Sequence, residues 1–134
     1  MQFLVLMIPG VYRDNKAKPN FTPDVSKMIP MGKFNEELKN DVNLISLNGL
    51  KPLTTGARVT FSKGRSSVTD GPFVEAKEVL GGYWMLEAKS KEQVVEWMKR
   101  CPAEDGDIIE IRQIFDLSDF PIHVDDAAAS GRKS

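Results

Sequence analysis

The residues best suited to chemistry lie close together around an acidic turn. Asp70 precedes Gly71, and Glu75 and Lys77 follow shortly after in the same segment. A carboxylate at the mouth of a pocket can act as a general acid or base when partial burial shifts its pKa. Glu75 and Lys77 are two positions apart, so on an extended segment their side chains face the same way and can bind a polar substrate. Asp70, Glu75 and Lys77 are therefore the candidate catalytic residues.

The same residues also have a structural interpretation. An aspartate before Gly-Pro commonly accepts hydrogen bonds from the backbone N–H groups of its own turn. Glu75 and Lys77 can pair with each other or with water, and Gly71 can meet the backbone demands of the turn. The sequence leaves both interpretations of this segment open.

Three arginines, together with Gly71, are the candidate substrate-binding residues. Arg58 and Arg112 lie in predicted strands, where one face of a sheet can present them to a pocket, and Arg13 lies in the loop after the first strand. Strand residues such as Arg112 and Glu110 can equally form a cross-strand or intersubunit ion pair. The glycine spacing does not match a dinucleotide-binding or phosphate-binding loop.

Metal and cofactor sites find no support in the sequence. The single histidine, His123, and scattered carboxylates do not form a recognisable set of ligands. The single cysteine, Cys101, excludes an intramolecular disulfide and a Cys-based metal site. Cys101 has no histidine near it in sequence and can be a packing residue or a reactive thiol. We expect no metal and no cofactor.

The composition indicates one ordinary globular domain and excludes some partners. The chain has 134 residues, with 18 basic and 19 acidic side chains and a formal net charge of −1. Direct nucleic-acid binding is not expected, because it needs a concentrated basic surface. The apolar run at residues 3–8 is too short to span a membrane and lacks the features of a signal peptide. We therefore expect a cytoplasmic protein without a membrane segment.

The predicted elements follow the order strand, helix, hairpin, strand, helix, strand. The first strand covers residues 3–8, and the first helix begins near Thr22 and Pro23 with a kink or break at Pro30 and Gly32. The hairpin turns at residues 63–64 and sets Val59 opposite Val68. Residues 81–86 form a central strand. Ser90 and Gln93 cap the start of the second helix. The last strand covers residues 108–115, with Ile109, Ile111 and Phe115 on one face. This order predicts a ferredoxin-like α+β fold with two helices.

Residues 68–78 (VTDGPFVEAKE), followed by residues 80–83 (LGGY), resemble the signature of the DGPF-motif, YCII-related family. The resemblance extends to residues 34–38, 92–102 and 109–112, and to Phe115 and Phe120. It covers most of residues 1–120, which we take as the domain, and the composition of residues 121–134 predicts a mobile tail. The resemblance implies a dimeric α+β barrel, in which two ferredoxin-like sheets close on each other and leave a pocket in each subunit.

The resemblance leaves several functions open. Shorter relatives carry a histidine–aspartate pair proposed as catalytic, but His123 lies in the tail and matches no such position. One hypothesis is a cofactor-independent small-molecule enzyme that uses carboxylate acid–base chemistry at Asp70. The alternative is a non-catalytic ligand-binding or regulatory homodimer, linked to transcription through the sigma-factor association of related domains. A third, by analogy of fold alone, is a cofactor-independent monooxygenase.

Overall fold

The computed structural model describes residues 1–12, 25–71 and 79–121. Within these ranges the chain forms six strands and two α-helices. They are β1 (Gln2–Ile8), α1 (Met28–Lys39), β2 (Asn43–Gly49), β3 (Ala57–Ser62), β4 (Arg65–Asp70), β5 (Gly82–Glu87), α2 (Lys91–Met98) and β6 (Ile108–Gln113). None of the described helices is long and apolar enough to cross a membrane.

Four of the strands form one sheet in the order β2-β5-β1-β6, and all neighbours in it are antiparallel. The segment holding α1 connects β1 to β2, and the segment holding α2 connects β5 to β6. In each case one strand lies between the two that are connected, which is the arrangement of a ferredoxin-like fold. The prediction of an α+β fold with two helices and an antiparallel sheet is confirmed. The sheet is open, and the described residues form no closed barrel.

The hydrophobic core lies between the helices and one face of this sheet, which we call the covered face. Phe3 and Val5 of β1 and Leu86 of β5 are fully buried there. Leu38 of α1 and Val94 of α2 pack against them. Alternate residues of the same strands point to the opposite side, the open face, on which the described residues place no helix.

Helix α1 corrects one prediction. It runs without interruption through Pro30 and Gly32, where a kink or break was expected. The helix begins at Met28, so Pro30 lies in its first turn, where a backbone N–H has no intrahelical partner to lose. Thr22 and Pro23, predicted to start the helix, lie outside the described residues.

The hairpin is confirmed in its turn and register, but it stands apart from the main sheet. Val59 pairs with Val68, and positive φ angles at Lys63 (51°) and Gly64 (77°) form the predicted two-residue turn. However, β3 and β4 form a separate two-stranded sheet, and β2 lies beside β5 at the edge of the main sheet. The sequence did not predict β2, because its apolar residues do not alternate regularly.

The second helix and the last strand follow their predictions with small differences. The Gln93 backbone N–H donates to Ser90 Oγ at 3.1 Å, which confirms the N-terminal cap of α2. Strand β6 ends at Gln113, so Phe115 lies beyond it and is exposed, instead of sharing a face with Ile109 and Ile111. Those two isoleucines do pack against the core.

Candidate functional site

The open face of the sheet carries an apolar strip along its two central strands. Leu4 and Leu6 of β1 lie opposite Met85 and Tyr83 of β5, and all four side chains are half-buried. Because no helix among the described residues covers them, these side chains are accessible to a ligand or a partner. The strip is therefore a candidate binding surface.

A pocket of about 280 Å³ lies on this strip. Leu50 and Leu80 form part of its wall and are 46% and 42% exposed, so they lie at its rim. The remaining lining residues are Leu4, Leu6, Gly82 and Tyr83. Such a wall offers an apolar ligand a place to leave water. Among the described lining residues Tyr83 alone has a polar side-chain group, and the surface that these residues present to the pocket is apolar.

The Tyr83 hydroxyl is held by two polar side chains of β2. Asn48 Nδ2 donates to Tyr83 Oη at 2.9 Å, and Ser46 Oγ lies 3.1 Å from the same oxygen. Hydrogen bonds with Ser46 and with Asn48 hold the pKa of Tyr83 below its ordinary value, against a smaller opposing effect of desolvation. The two contacts fix the phenol in position.

A β-bulge in β2 brings these side chains to the open face. Leu44 pairs with Leu86 on the covered face, but the next pair is Ser46 with Met85, so Ile45 is an extra residue. An extra residue reverses the face of every side chain after it. In regular alternation Ser46 would lie opposite Trp84, on the covered face. The bulge instead places Ser46 and Asn48 beside Tyr83.

The opposite edge of the open face carries an ion pair. Arg112 and Glu110 of β6 pair with Leu4 and Leu6 of β1 in the sheet register. Arg112 Nη1 lies 3.3 Å from Glu110 Oε2, and both side chains are largely exposed. An exposed pair of this kind contributes little stability, but it leaves this edge of the open face without a net charge from these two residues.

The candidate catalytic residues from the sequence do not line the pocket in the part of the chain that the structure describes. Asp70 is exposed at the end of β4, opposite Ala57. Glu75 and Lys77 lie outside the described residues. That these two side chains lie near Asp70 stays a prediction.

Gly71 has a structural reason to be glycine. A Cβ built there would lie 1.6 Å from the backbone oxygen of Leu53, which no side chain can accommodate. The Gly71 N–H also donates to the Gly56 oxygen at 2.9 Å. This close approach fastens the end of β4 to the turn at Leu53–Thr55, in keeping with the structural interpretation of the glycine.

The predicted arginines are dispersed. Arg58 is exposed on β3 opposite Thr69, in the hairpin and not on the four-stranded sheet. Arg112 lies on the open face at its β6 edge. Arg13 lies outside the described residues. Of the predicted binding residues that the structure describes, only Arg112 shares a face with the pocket.

Cys101 is a half-buried packing residue in this structure. Its Sγ lies 4.0 Å from Met31 Sδ. Burial, with a smaller effect of Asp107, raises the pKa of the Cys101 thiol to about 11. A thiol with such a pKa is almost entirely protonated at neutral pH, so it is a poor nucleophile. Among the described residues no group of three or more histidine, cysteine, aspartate or glutamate side chains could hold a metal ion.

Sequence reasoning missed the polar cluster on the open face. Tyr83, Ser46 and Asn48 were not among the candidate residues. The alternation of Tyr83 with Trp84 and Leu86 does indicate that Tyr83 faces away from the core. No sequence signal places Ser46 and Asn48 on that same face, because the bulge is a property of the pairing between strands.

Comparison with known proteins agrees with the resemblance noted in the sequence. A model of the YCII-related domain family matches residues 7–118, from the last two residues of β1 to beyond the end of β6. A search of curated proteins finds no match for the chain.

Proposed function

The chain belongs to the YCII-related domain family, and on this premise we propose that it is a homodimeric protein that binds a small, mainly apolar molecule on the open face of its sheet. The observation that carries this proposal is the pocket between Leu6, Leu80 and Tyr83. Its volume of about 280 Å³ lies just below the usual range for ligand pockets. Its described wall is apolar, which suits a ligand that is itself mainly apolar.

Fluorescence of 1-anilinonaphthalene-8-sulfonate, a probe of apolar sites, tests the pocket. We expect the wild type to bind the probe and Leu80→Asp to lose most of the binding, because a charge at the rim disfavours an apolar ligand. Leu117→Asp is the matched control, since Leu117 is similarly exposed (50%) and does not line the pocket. Equal binding by the two variants would contradict the proposal.

A third variant, Asp70→Asn, tests whether the probe binds at the pocket or at the acidic turn. Acid–base catalysis at Asp70 stays a prediction, as do the regulatory role and the monooxygenase activity. Because Asp70 is exposed at the end of β4 and does not line the pocket, we expect Asp70→Asn to bind the probe like the wild type. Loss of binding in Asp70→Asn with an unchanged melting temperature would indicate that the probe binds at the acidic turn and not at the pocket.

The proposal of a homodimer is supported by the apolar surface that the described residues of one chain leave accessible. Leu4, Leu6 and Met85 form a half-buried strip on the open face. The hairpin adds Val59 and Val68, which are 56% and 68% exposed. An isolated two-stranded hairpin is at best marginally stable in water, so contact with a second copy would stabilise it. A symmetric dimer of the barrel kind that the resemblance implies would bring the open faces of two copies towards each other and leave a pocket in each subunit.

Light scattering at micromolar concentration tests the dimer. We expect Met85→Glu to give a monomer, because the charge lies at the centre of the open face and would be buried in the interface. Ile29→Glu is the control, since Ile29 is 77% exposed on α1, a helix of the covered face. A monomeric mass for the wild type, or a dimeric mass for Met85→Glu, would contradict a dimer through this face.

A further inference from the structure

We propose that the β3–β4 hairpin of one copy forms the outer wall of the pocket in a second copy, so that each binding site is complete only in the dimer. This inference rests on the proposed function, because it concerns the same pocket and the same dimer. It follows from three features of the described residues. The hairpin has an apolar face, that face covers nothing in its own chain, and the pocket lacks an outer wall.

The hairpin formed by β3 and β4 has one apolar and one polar face. Val59 pairs with Val68, and Phe61 lies two residues after Val59, so these three side chains share a face, which Ala57, Ser66 and Asp70 complete towards its ends. The opposite face is polar and consists of Arg58, Thr60, Ser62, Arg65, Ser67 and Thr69. Such alternation is typical of antiparallel strands that pack one face against an apolar surface and leave the other in water.

The apolar face of the hairpin is not covered by the described part of its own chain. Val59, Val68 and Phe61 are 56%, 68% and 79% exposed. No hairpin residue lines the pocket of the same chain, although the hairpin follows the rim residue Leu50 after a short loop. The close approach at Gly71 fastens the base of the hairpin to the turn in that loop. The hairpin therefore begins near the pocket of its own chain but directs its apolar face elsewhere.

The pocket has no outer wall among the described residues. It opens to solvent, and its rim residues Leu50 and Leu80 are 46% and 42% exposed. Ligand sites usually bury about 70–90% of the surface of their ligand. An open pocket of about 280 Å³ cannot enclose a ligand to this extent by itself. A second apolar surface over the rim would complete the enclosure.

A second copy of the chain is the partner that satisfies both surfaces. A stable protein interface buries about 800 Å² on each partner. The half-buried side chains of the open face cannot supply that area by themselves, whereas the hairpin adds Val59, Phe61 and Val68, each more than half exposed. In a two-fold symmetric dimer each copy offers one hairpin and receives one. Both hairpins and both pockets are then covered, and no apolar face is left to recruit a third copy.

Mixed dimers test whether the hairpin acts on the pocket of the other copy. One subunit carries Leu80→Asp, which disrupts its own pocket, and the other carries Phe61→Ser, which removes the most exposed apolar side chain of its own hairpin. Two different affinity tags isolate the mixed dimer, and fluorescence of 1-anilinonaphthalene-8-sulfonate measures binding. We expect each variant alone to bind little probe. The mixed dimer should recover about half of the wild-type signal, because its intact hairpin covers its intact pocket.

Thr60→Ala is the matched control for the hairpin variant. Thr60 precedes Phe61 and lies on the polar face of the same strand, and its replacement by alanine also lowers the strand propensity. We expect Thr60→Ala to bind the probe like the wild type. A loss of binding as large as that of Phe61→Ser would show that binding depends on the fold of the hairpin and not on its apolar face, which would overturn the inference.

The outcomes separate this inference from the proposed function. Wild-type binding by Phe61→Ser together with loss in Leu80→Asp would overturn the role of the hairpin and leave the pocket standing. A mixed dimer without recovered binding would show that the hairpin does not act on the other copy. A purification that yields no mixed dimer would contradict the dimer and this inference together. Equal binding by Leu80→Asp and Leu117→Asp would overturn the pocket itself.

Discussion

Trp84 and Tyr83 are adjacent in β5, yet they belong to opposite faces of the sheet with different purposes. The Trp84 ring is 5% exposed on the covered face, where it meets the Phe34 ring edge-on at 6.3 Å. Its Nε1 donates to Asn35 Oδ1 of α1 at 2.8 Å. Tyr83 is half-buried on the open face, and its hydroxyl is bound by residues of a neighbouring strand.

The contrast shows how one strand can serve both stability and binding. On the covered face the polar atom of Trp84 is satisfied by a helix, so the contact joins two layers of the fold. On the open face the polar atoms of Tyr83, Ser46 and Asn48 satisfy one another within the sheet, so that group does not depend on a second layer. Substitutions on the covered face should therefore affect folding, and substitutions on the open face should affect binding.

The largest expected difference between the faces concerns two leucines. Leu86 is fully buried, whereas Leu6 is half-buried on the open face. We expect Leu86→Ala to lower the free energy of unfolding by about 2–5 kcal/mol, because the vacated space is enclosed. Leu6→Ala should lower it by roughly half of that or less, because its space opens to solvent. Urea denaturation at low protein concentration measures both, and similar losses would remove the distinction between the faces.

The adjacent aromatic residues Trp84 and Tyr83 allow a second comparison, in which the expected difference in the free energy of unfolding is smaller. Trp84→Phe leaves Asn35 Oδ1 without its donor and opens space beside Phe34, so we expect a loss of about 1–3 kcal/mol in the free energy of unfolding. Tyr83→Phe should change it by only about 0.5 kcal/mol, because the ring remains and the freed groups reach water. Thermal denaturation compares the two variants. A Tyr83→Phe variant as unstable as Trp84→Phe would make Tyr83 a structural residue.

The smallest expected effect is the difference between the pKa values of the two tyrosines, which an ultraviolet titration measures. Tyr12 and Tyr83 are the two tyrosines of the chain. Burial raises the pKa of Tyr12 above its ordinary value, and hydrogen bonds with Ser46 and Asn48 lower the pKa of Tyr83. We expect two phenolate transitions, one on each side of pH 10, with the lower one absent in Tyr83→Phe. A single transition near pH 10 would contradict the hydrogen bonds at Tyr83.

The sign of the linked effect on stability follows from these directions. Tyr83 has a lower pKa in the folded chain, so between its folded pKa and its unfolded pKa the folded chain binds fewer protons. Its contribution to the free energy of unfolding therefore rises with pH across that window and is absent at neutral pH and below. Tyr12 acts in the opposite direction, because its raised pKa makes folding less favourable as pH rises above the unfolded value.

The parts of the fold that sequence predicted are those set by local chemistry. The turn at Lys63 and Gly64, the cap at Ser90 and the buried run of β1 each carry their signal within a few residues. The acidic turn carried the family resemblance, which the family match confirms. The uninterrupted α1 was missed because the position of its first turn, which makes Pro30 acceptable, depends on where the helix begins.

The candidate site was predicted least well, because it depends on how strands pair. Tyr83 could be placed on the face away from the core by alternation alone. Its partners Ser46 and Asn48 could not be placed, because nothing in the sequence of Asn43–Gly49 indicates that Ile45 forms a bulge. A site that depends on the register between two strands cannot be predicted from the sequence of each strand alone.

The bulge in β2 has a consequence for how this site can change during evolution. Ile45 touches neither the phenol nor its hydrogen bonds, but its presence decides which face Ser46 and Asn48 occupy. Loss of a single codon at that position would exchange the two faces for the rest of the strand, while every amino acid of the site remained in the gene. A lineage could therefore gain or lose this polar cluster on the open face by one small deletion or insertion, without mutating any residue that forms it.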